Sequence, residues 1–166
     1  MFRGRIQNSE FRSRESGSIA ARPLYAEDKE KSKEPNAPLR NFPDVDEWPN
    51  NWMRTNEDLE IGRGLLELFT PFIQHLIDEG LAKRTIKNHG NHLSALGGEI
   101  IGRLDSLVEE RNRALSPREL VLHYVHDEGG PLLYLLDPND KTDLTYHMAY
   151  DATCRKLLKY LRAKPN

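Results

Sequence analysis

The sequence predicts an all-α protein, a compact four-helix bundle behind a disordered N-terminal leader. Three observations predict it. Apolar residues recur at steps of three and four in separate segments after about residue 49; no segment alternates with the period of two that a half-buried strand requires; and the first 48 residues follow neither period. A chain of 166 residues fits one domain of roughly 100–200 residues, so one core is expected, over residues 49–166.

Residues 1–48 mix Arg, Ser, Glu, Lys and Pro, including the run from Glu27 to Pro35. Such a composition buries too little apolar surface to offset the entropy of ordering, and it reads as a tether or an arm that orders on a partner. Arg3, Arg5, Arg12, Arg14 and Arg22 would also suit an organellar transit peptide, but the leader's acidic residues do not.

The first helix is announced by Thr55 and Asp58, spaced as a capping box. Leu65, Phe69, Phe72 and Leu76, joined by Leu66, Ile73 and Ile77, define its apolar face, and Gly80 suits a left-handed stop. Pro71 inside it predicts a kink near Leu68. The second helix starts at Leu81 or Ala82 and places Ile86, Leu93, Leu96, Ile100 and Leu104 on one side, running to about Leu107. Gly90, Gly97 and Gly98 each lower helix propensity by about 1 kcal/mol relative to Ala, so a closely packed neighbour must compensate or the helix breaks near Gly97. Ser116, Pro117 and Glu119 open a third helix whose buried side is Leu120, Val121, Tyr124 and Val125, with Gly129-Gly130-Pro131 ending it. After the turn-prone stretch from Asp137 to Asp140, a last helix carries Tyr150, Cys154, Leu157, Leu158 and Leu161 on one face.

Composition limits the function classes. A net charge of −2 argues against coating nucleic acid by bulk electrostatics, so any DNA contact must come from local patches. The single cysteine, Cys154, leaves no internal disulfide and no cysteine-based zinc site. The longest apolar run, Pro131 to Leu136, is far short of the roughly 20 residues that cross a bilayer. A cytoplasmic protein without membrane association is therefore expected.

Two acid-free polar faces stand out. On the second helix, Lys83, Arg84, Lys87, Asn88 and Asn91 form a stripe with no acidic residue between Leu81 and Gly98. Arg and Asn can pair bidentately with guanine and adenine edges, and Lys can neutralise phosphate. On the last helix, Arg155, Lys156, Lys159 and Arg162 lie opposite the apolar face. An ordinary solvated surface explains the first set equally, and attraction to a helix C-terminus the second. His89 with His92, and His123 with His126, have a spacing at which two imidazoles on one helix could share a metal, with Glu99 or Glu128 completing it; lone pairs of this kind are more often packed or solvated, and no metal or cofactor is expected. No nucleophile elbow surrounds a Ser, no phosphate-binding glycine loop follows a strand, and Cys154 on an apolar face reads as a structural thiol, so no catalytic residue is assigned.

The stretch from Leu68 to Leu93 resembles the N-terminal core-binding domain of phage-integrase-type tyrosine recombinases, in which an apolar helix, a Gly-Leu-Ser type turn and a Thr-Ile opening follow one another. Here these are the helix around Phe69 and Phe72, Gly80-Leu81, and Thr85-Ile86. Leu115 to Leu120 and Thr153 to Leu161 fall where that family has its third and fourth helices, so the resemblance spans roughly Asn56 to Arg162. It implies a SAM-like four-helix domain that clasps duplex DNA through the polar and basic faces just named, as an accessory or remnant of a mobile element. Ala82 departs from the family's capping Ser or Thr, and Gly90 interrupts the second helix. The recombinase catalytic domain would require further chain beyond Asn166, so strand cleavage is not implied. The competing expectation is a protein-interaction module with no nucleic-acid role, docking through the bundle or the leader, with Trp48 and Trp52 as aromatic anchors.

Overall fold

The computed structural model describes Phe42 and residues 44–106, 109–137 and 139–164. Of the leader expected over residues 1–48, residues 1–41 and 43 lie outside these, as does the helix end expected at Leu107. Helices α1 (Trp48–Trp52), α2 (Asn56–Asp78), α3 (Lys83–Leu104), α4 (Pro117–Tyr124) and α5 (Lys141–Ala163) follow in order, with 3-10 turns at Val45–Glu47 and Glu110–Ala114. The described chain is thus all-α, with five helices rather than four.

The additional helix, α1, spans only five residues, too few for an apolar period to register. Its Pro49 occupies the first turn, where a missing N–H costs nothing. Trp48 and Trp52 are buried, their rings 5.9 Å apart, and Phe42 and Val45 are buried beside them. The core therefore begins before the boundary expected at residue 48, and the tryptophans are core residues rather than exposed anchors.

Side-chain caps set the starts of α2, α4 and α5. Thr55 and Asp58 form the expected box at α2, the Asp58 carboxylate accepting from the backbone of Thr55 at 2.8 Å and of Arg54 at 2.9 Å. Asp58 is fully buried and also paired with Arg113, which reaches on to Asp105 at 2.9 Å. Burial pushes its carboxyl upward, but hydrogen bonds from Arg113, Arg54 and Thr55 outweigh it and hold the carboxyl below its ordinary value. This network ties the 3-10 turn at Glu110–Ala114 to the start of α2. α2 continues through Pro71 to Asp78, and Gly80 closes it at φ 77° while the Leu81 N–H donates to the Leu76 carbonyl, the geometry of a Schellman stop.

α3 is unbroken from Lys83 to Leu104 because its glycines are floors for aromatic rings. A Cβ on Gly97 would come within 2.5 Å of the Trp52 ring, and one on Gly90 would overlap Phe42. The expected compensation for the three glycines is therefore present, and its source is Trp52 of α1 and Phe42 upstream of it. α4 ends at Tyr124, five residues before the expected glycine stop. His126 and Gly129 instead exchange backbone hydrogen bonds across a tight turn. Gly129 and Gly130 press that turn onto α5: a Cβ on Gly129 would overlap the Asp151 carboxylate, and one on Gly130 would meet Cys154 Sγ and Tyr150 Oη at 2.6 Å. α5 begins at Lys141, two and a half turns before Tyr150, because Asp140 caps it by accepting from Thr142 and Asp143. Leu65, Phe69, Ile73, Leu93, Leu96, Ile100, Leu120, Val121, Tyr150 and Leu157 fill the shared core. No helix among the described residues is long and apolar enough to cross a membrane.

Candidate nucleic-acid interface

The polar stripe lies where α3 leaves the bundle. Lys83, Arg84, Lys87, Asn88 and Asn91 are all exposed, while Ile86 and Gly90 between them are buried. No side chain caps this end of α3, and its first turn contains no acidic residue. The free N–H groups and the positive end of the helix dipole therefore add to the side-chain charge rather than being neutralised by it.

α5 packs alongside, and its contact with α3 is polar. Thr153 is fully buried, and its hydroxyl lies 2.8 Å from His89 Nδ1 and 2.7 Å from His92 Nδ1, as well as 3.2 Å from the Ala149 carbonyl. One hydroxyl proton serves only one acceptor, so at least one imidazole donates its Nδ1–H to Thr153. Burial lowers the pKa of both histidines; at His89 the charges of Lys156 and His92 push further in the same direction. Both imidazoles are thus held toward their neutral forms.

Lys156 and Lys159, both exposed, line a groove of about 340 Å³ between the C-terminal halves of α2 and α5, together with Lys164, Tyr160 and His75. Lys164 lies 4.7 Å from the Tyr160 ring centre. The acidic groups at this edge are engaged: Glu79 with His75 at 3.4 Å and Asp78 with Gln74 at 2.7 Å.

Arg155 and Arg162 are placed differently. Arg155 donates to the Glu128 carbonyl at 2.8 Å, and Arg162 pairs with Asp127 at 2.6 Å, so the turn after α4 engages both. Lys156 and Lys159 border the groove with α2, whereas Arg155 and Arg162 are engaged by that turn. Their partners are decades of residues away in sequence, and no local signal announced them.

Metal chemistry finds no support in the geometry. Among the described residues no group of three or more His, Cys, Asp or Glu could hold an ion. His126 lies beyond the end of α4, so it does not share a helix with His123. Glu99 is bound to Arg103 at 3.0 Å. Cys154 is buried between Tyr150 and Gly130, and burial pushes its thiol up to about 12, as expected of an inert structural cysteine. His147 pairs through Nδ1 with Asp151 at 3.1 Å, while its Nε2 is buried without a hydrogen-bond partner.

One surface was not legible as a site. Leu132, Tyr134 and Leu135 are 63, 81 and 97% exposed, beside a groove of about 790 Å³ on the second half of α3. The run Pro131 to Leu136 is visible in the sequence only as an apolar stretch without period. No known protein family, curated protein or solved structure matches the chain, so the reading of these surfaces rests on their residues and geometry alone.

Proposed function

We propose that this chain is a non-catalytic DNA-binding module, related in kind to the core-binding domains of site-specific recombinases and acting as an accessory or remnant of a mobile element. The observation that carries this reading is that exposed Lys83, Arg84, Lys87, Asn88 and Asn91 on α3 and exposed Lys156 and Lys159 on α5 stand on two helices joined where His89 and His92 meet Thr153. The α3 stripe supplies groups that read base edges, and the lysines of α5 supply phosphate contacts. Arg155 and Arg162 are assigned to the turn at 127–128 instead.

Fluorescence anisotropy of the full chain with a random duplex, over a series of salt concentrations, tests this. Five cations on phosphates give a slope of log affinity against log salt approaching about −4.5, at about 0.9 per contact. Exchanging Arg84, Lys87, Lys156 and Lys159 for Glu abolishes binding, whereas exchanging Arg155 and Arg162 for Gln leaves the slope unchanged. Binding that is absent, or insensitive to salt, removes the DNA reading. The exposed Leu132, Tyr134 and Leu135 then favour the second reading, a protein-interaction module.

A further inference from the structure

We infer that the groove between the C-terminal halves of α2 and α5 binds a small organic anion, an apolar body ending in a carboxylate, sulfonate or phosphate. Its lining supplies both parts of that chemistry. Lys156, Lys159 and Lys164 bring positive charge, while Phe72, Tyr160 and Ala163 bring apolar surface. The volume of about 340 Å³ lies at the small end of the roughly 300–1,000 Å³ found for small-molecule sites.

The charge at this groove is not compensated from within. Arg54, Arg103, Arg113 and Arg162 each pair with a carboxylate. Among the described residues none of the three groove lysines does, and Glu79, the carboxylate that lines the groove, lies 3.4 Å from His75 instead. Attraction to the helix C-terminus accounts for part of this at most, because that effect falls off within the last turn and Lys156 stands about two turns before α5 ends at Ala163. A cleft lined by one sign of charge against low-dielectric walls focuses its field and concentrates counter-ions.

The donors are partly fixed in advance. Lys164 Nζ donates to Tyr160 Oη at 3.2 Å and lies 4.7 Å from the centre of its ring, and Tyr160 is itself held between the rings of His75 and Phe72, 5.0 and 5.4 Å away. Tyr160 is 8% exposed, and because its oxygen accepts from Lys164, its own hydroxyl proton is left without an acceptor among the described residues. An anionic oxygen in the groove accepts from that hydroxyl and from the ammonium beside it. Both parts of the ligand are needed. A bare inorganic anion leaves the apolar lining in water, and a neutral apolar body strips water from the ammoniums without pairing them. The site shares Lys156 and Lys159 with the proposed DNA surface but does not rest on that reading.

Fluorescence titration of the full chain with anilinonaphthalenesulfonate tests it, beside phenylnaphthylamine as a matched aromatic body without the anion. The expected result is saturable binding of the sulfonate, at least about tenfold tighter than that of the amine. Ala163→Leu fills the groove and keeps every lysine, whereas Lys156→Gln with Lys159→Gln removes charge and keeps the apolar lining. All three positions are exposed, so the thermal midpoint stays that of the parent while either variant weakens sulfonate binding at least about tenfold. A sulfonate that does not saturate overturns the inference, and so do equal binding of the two probes and undiminished binding by either variant, which would seat the probe elsewhere, as on the surface around exposed Leu135. Duplex binding is read in its own titration, so the failure of one reading is distinguishable from the failure of the other.

Discussion

The two halves of α3 have opposite environments within one continuous helix. From Lys83 to Asn91 only Ile86 and Gly90 are buried, whereas from His92 to Leu104 no residue is exposed. The first half meets the protein along one narrow line; the second is enclosed by α1, α2, α4 and α5 and by the loop at 132–136. Glycine has a related purpose in both. It brings an aromatic ring against the helix backbone, Phe42 at Gly90 and Trp52 at Gly97. The difference teaches that stability is concentrated in the enclosed half, leaving the exposed half free to be selected for what it binds.

The largest expected effect comes from breaking the enclosed half. Trp52 is 8% exposed and fills the space left by the absent side chains of Gly97 and Gly98. Trp52→Ala should cost about 3–5 kcal/mol, because a cavity forms above a helix that has no side chains with which to collapse into it. Denaturant unfolding measures this as a lower midpoint at constant slope. A loss under about 1 kcal/mol would show that α1 is peripheral.

The glycines illustrate what the sequence disclosed and what it did not. Their cost to α3 was evident, and so was the need for a neighbour pressed against them. The identity of that neighbour was not, because a five-residue helix has no period and two tryptophans beside a polar leader resemble an interface as readily as a core. The α2 capping box and its Gly80 stop were legible because both are local chemistry. The early end of α4 was not: Val125 continues the apolar pattern, and the turn at 126–129 depends on Asp151, Tyr150 and Cys154 far along the chain. For the same reason the lysines of α5 were separable from Arg155 and Arg162 only once the turn had been placed against them.

An intermediate effect is expected at the boundary between the halves, where His89 and His92 converge on Thr153. The groups facing them are Lys156 on α5 and the rings of Tyr146 and Tyr150, which add no negative charge to favour an imidazolium. Both histidines have folded pKa values lowered from 6.5, so as pH falls through about 6.5 the unfolded chain takes up protons that the folded chain does not. Stability from this contact is complete above that pH and declines below it. Thermal melts between about pH 8 and pH 5 should show this decline, and exchanging both histidines for Gln should flatten it. An unchanged slope in that variant would assign the acid sensitivity to carboxylates such as Asp58.

The smallest effect on folding is expected in the exposed half, and there the comparison is sharpest. Lys87 and Asn91 are exposed and sit one turn apart, so replacing each with Ala should change stability by no more than about 0.5 kcal/mol, the range of an ordinary surface site. Ala is in fact the better helix former, which offsets whatever solvation is lost. The same variants should alter DNA binding in two distinguishable ways. Lys87→Ala reduces the salt dependence by about one phosphate contact on every duplex, whereas Asn91→Ala leaves the salt slope intact and weakens only those duplexes that place adenine in reach of the stripe. A Lys87→Ala chain that keeps the parent salt slope would mean that the free half of α3 is solvated surface, and that its freedom from packing reflects tolerance rather than selection for a ligand.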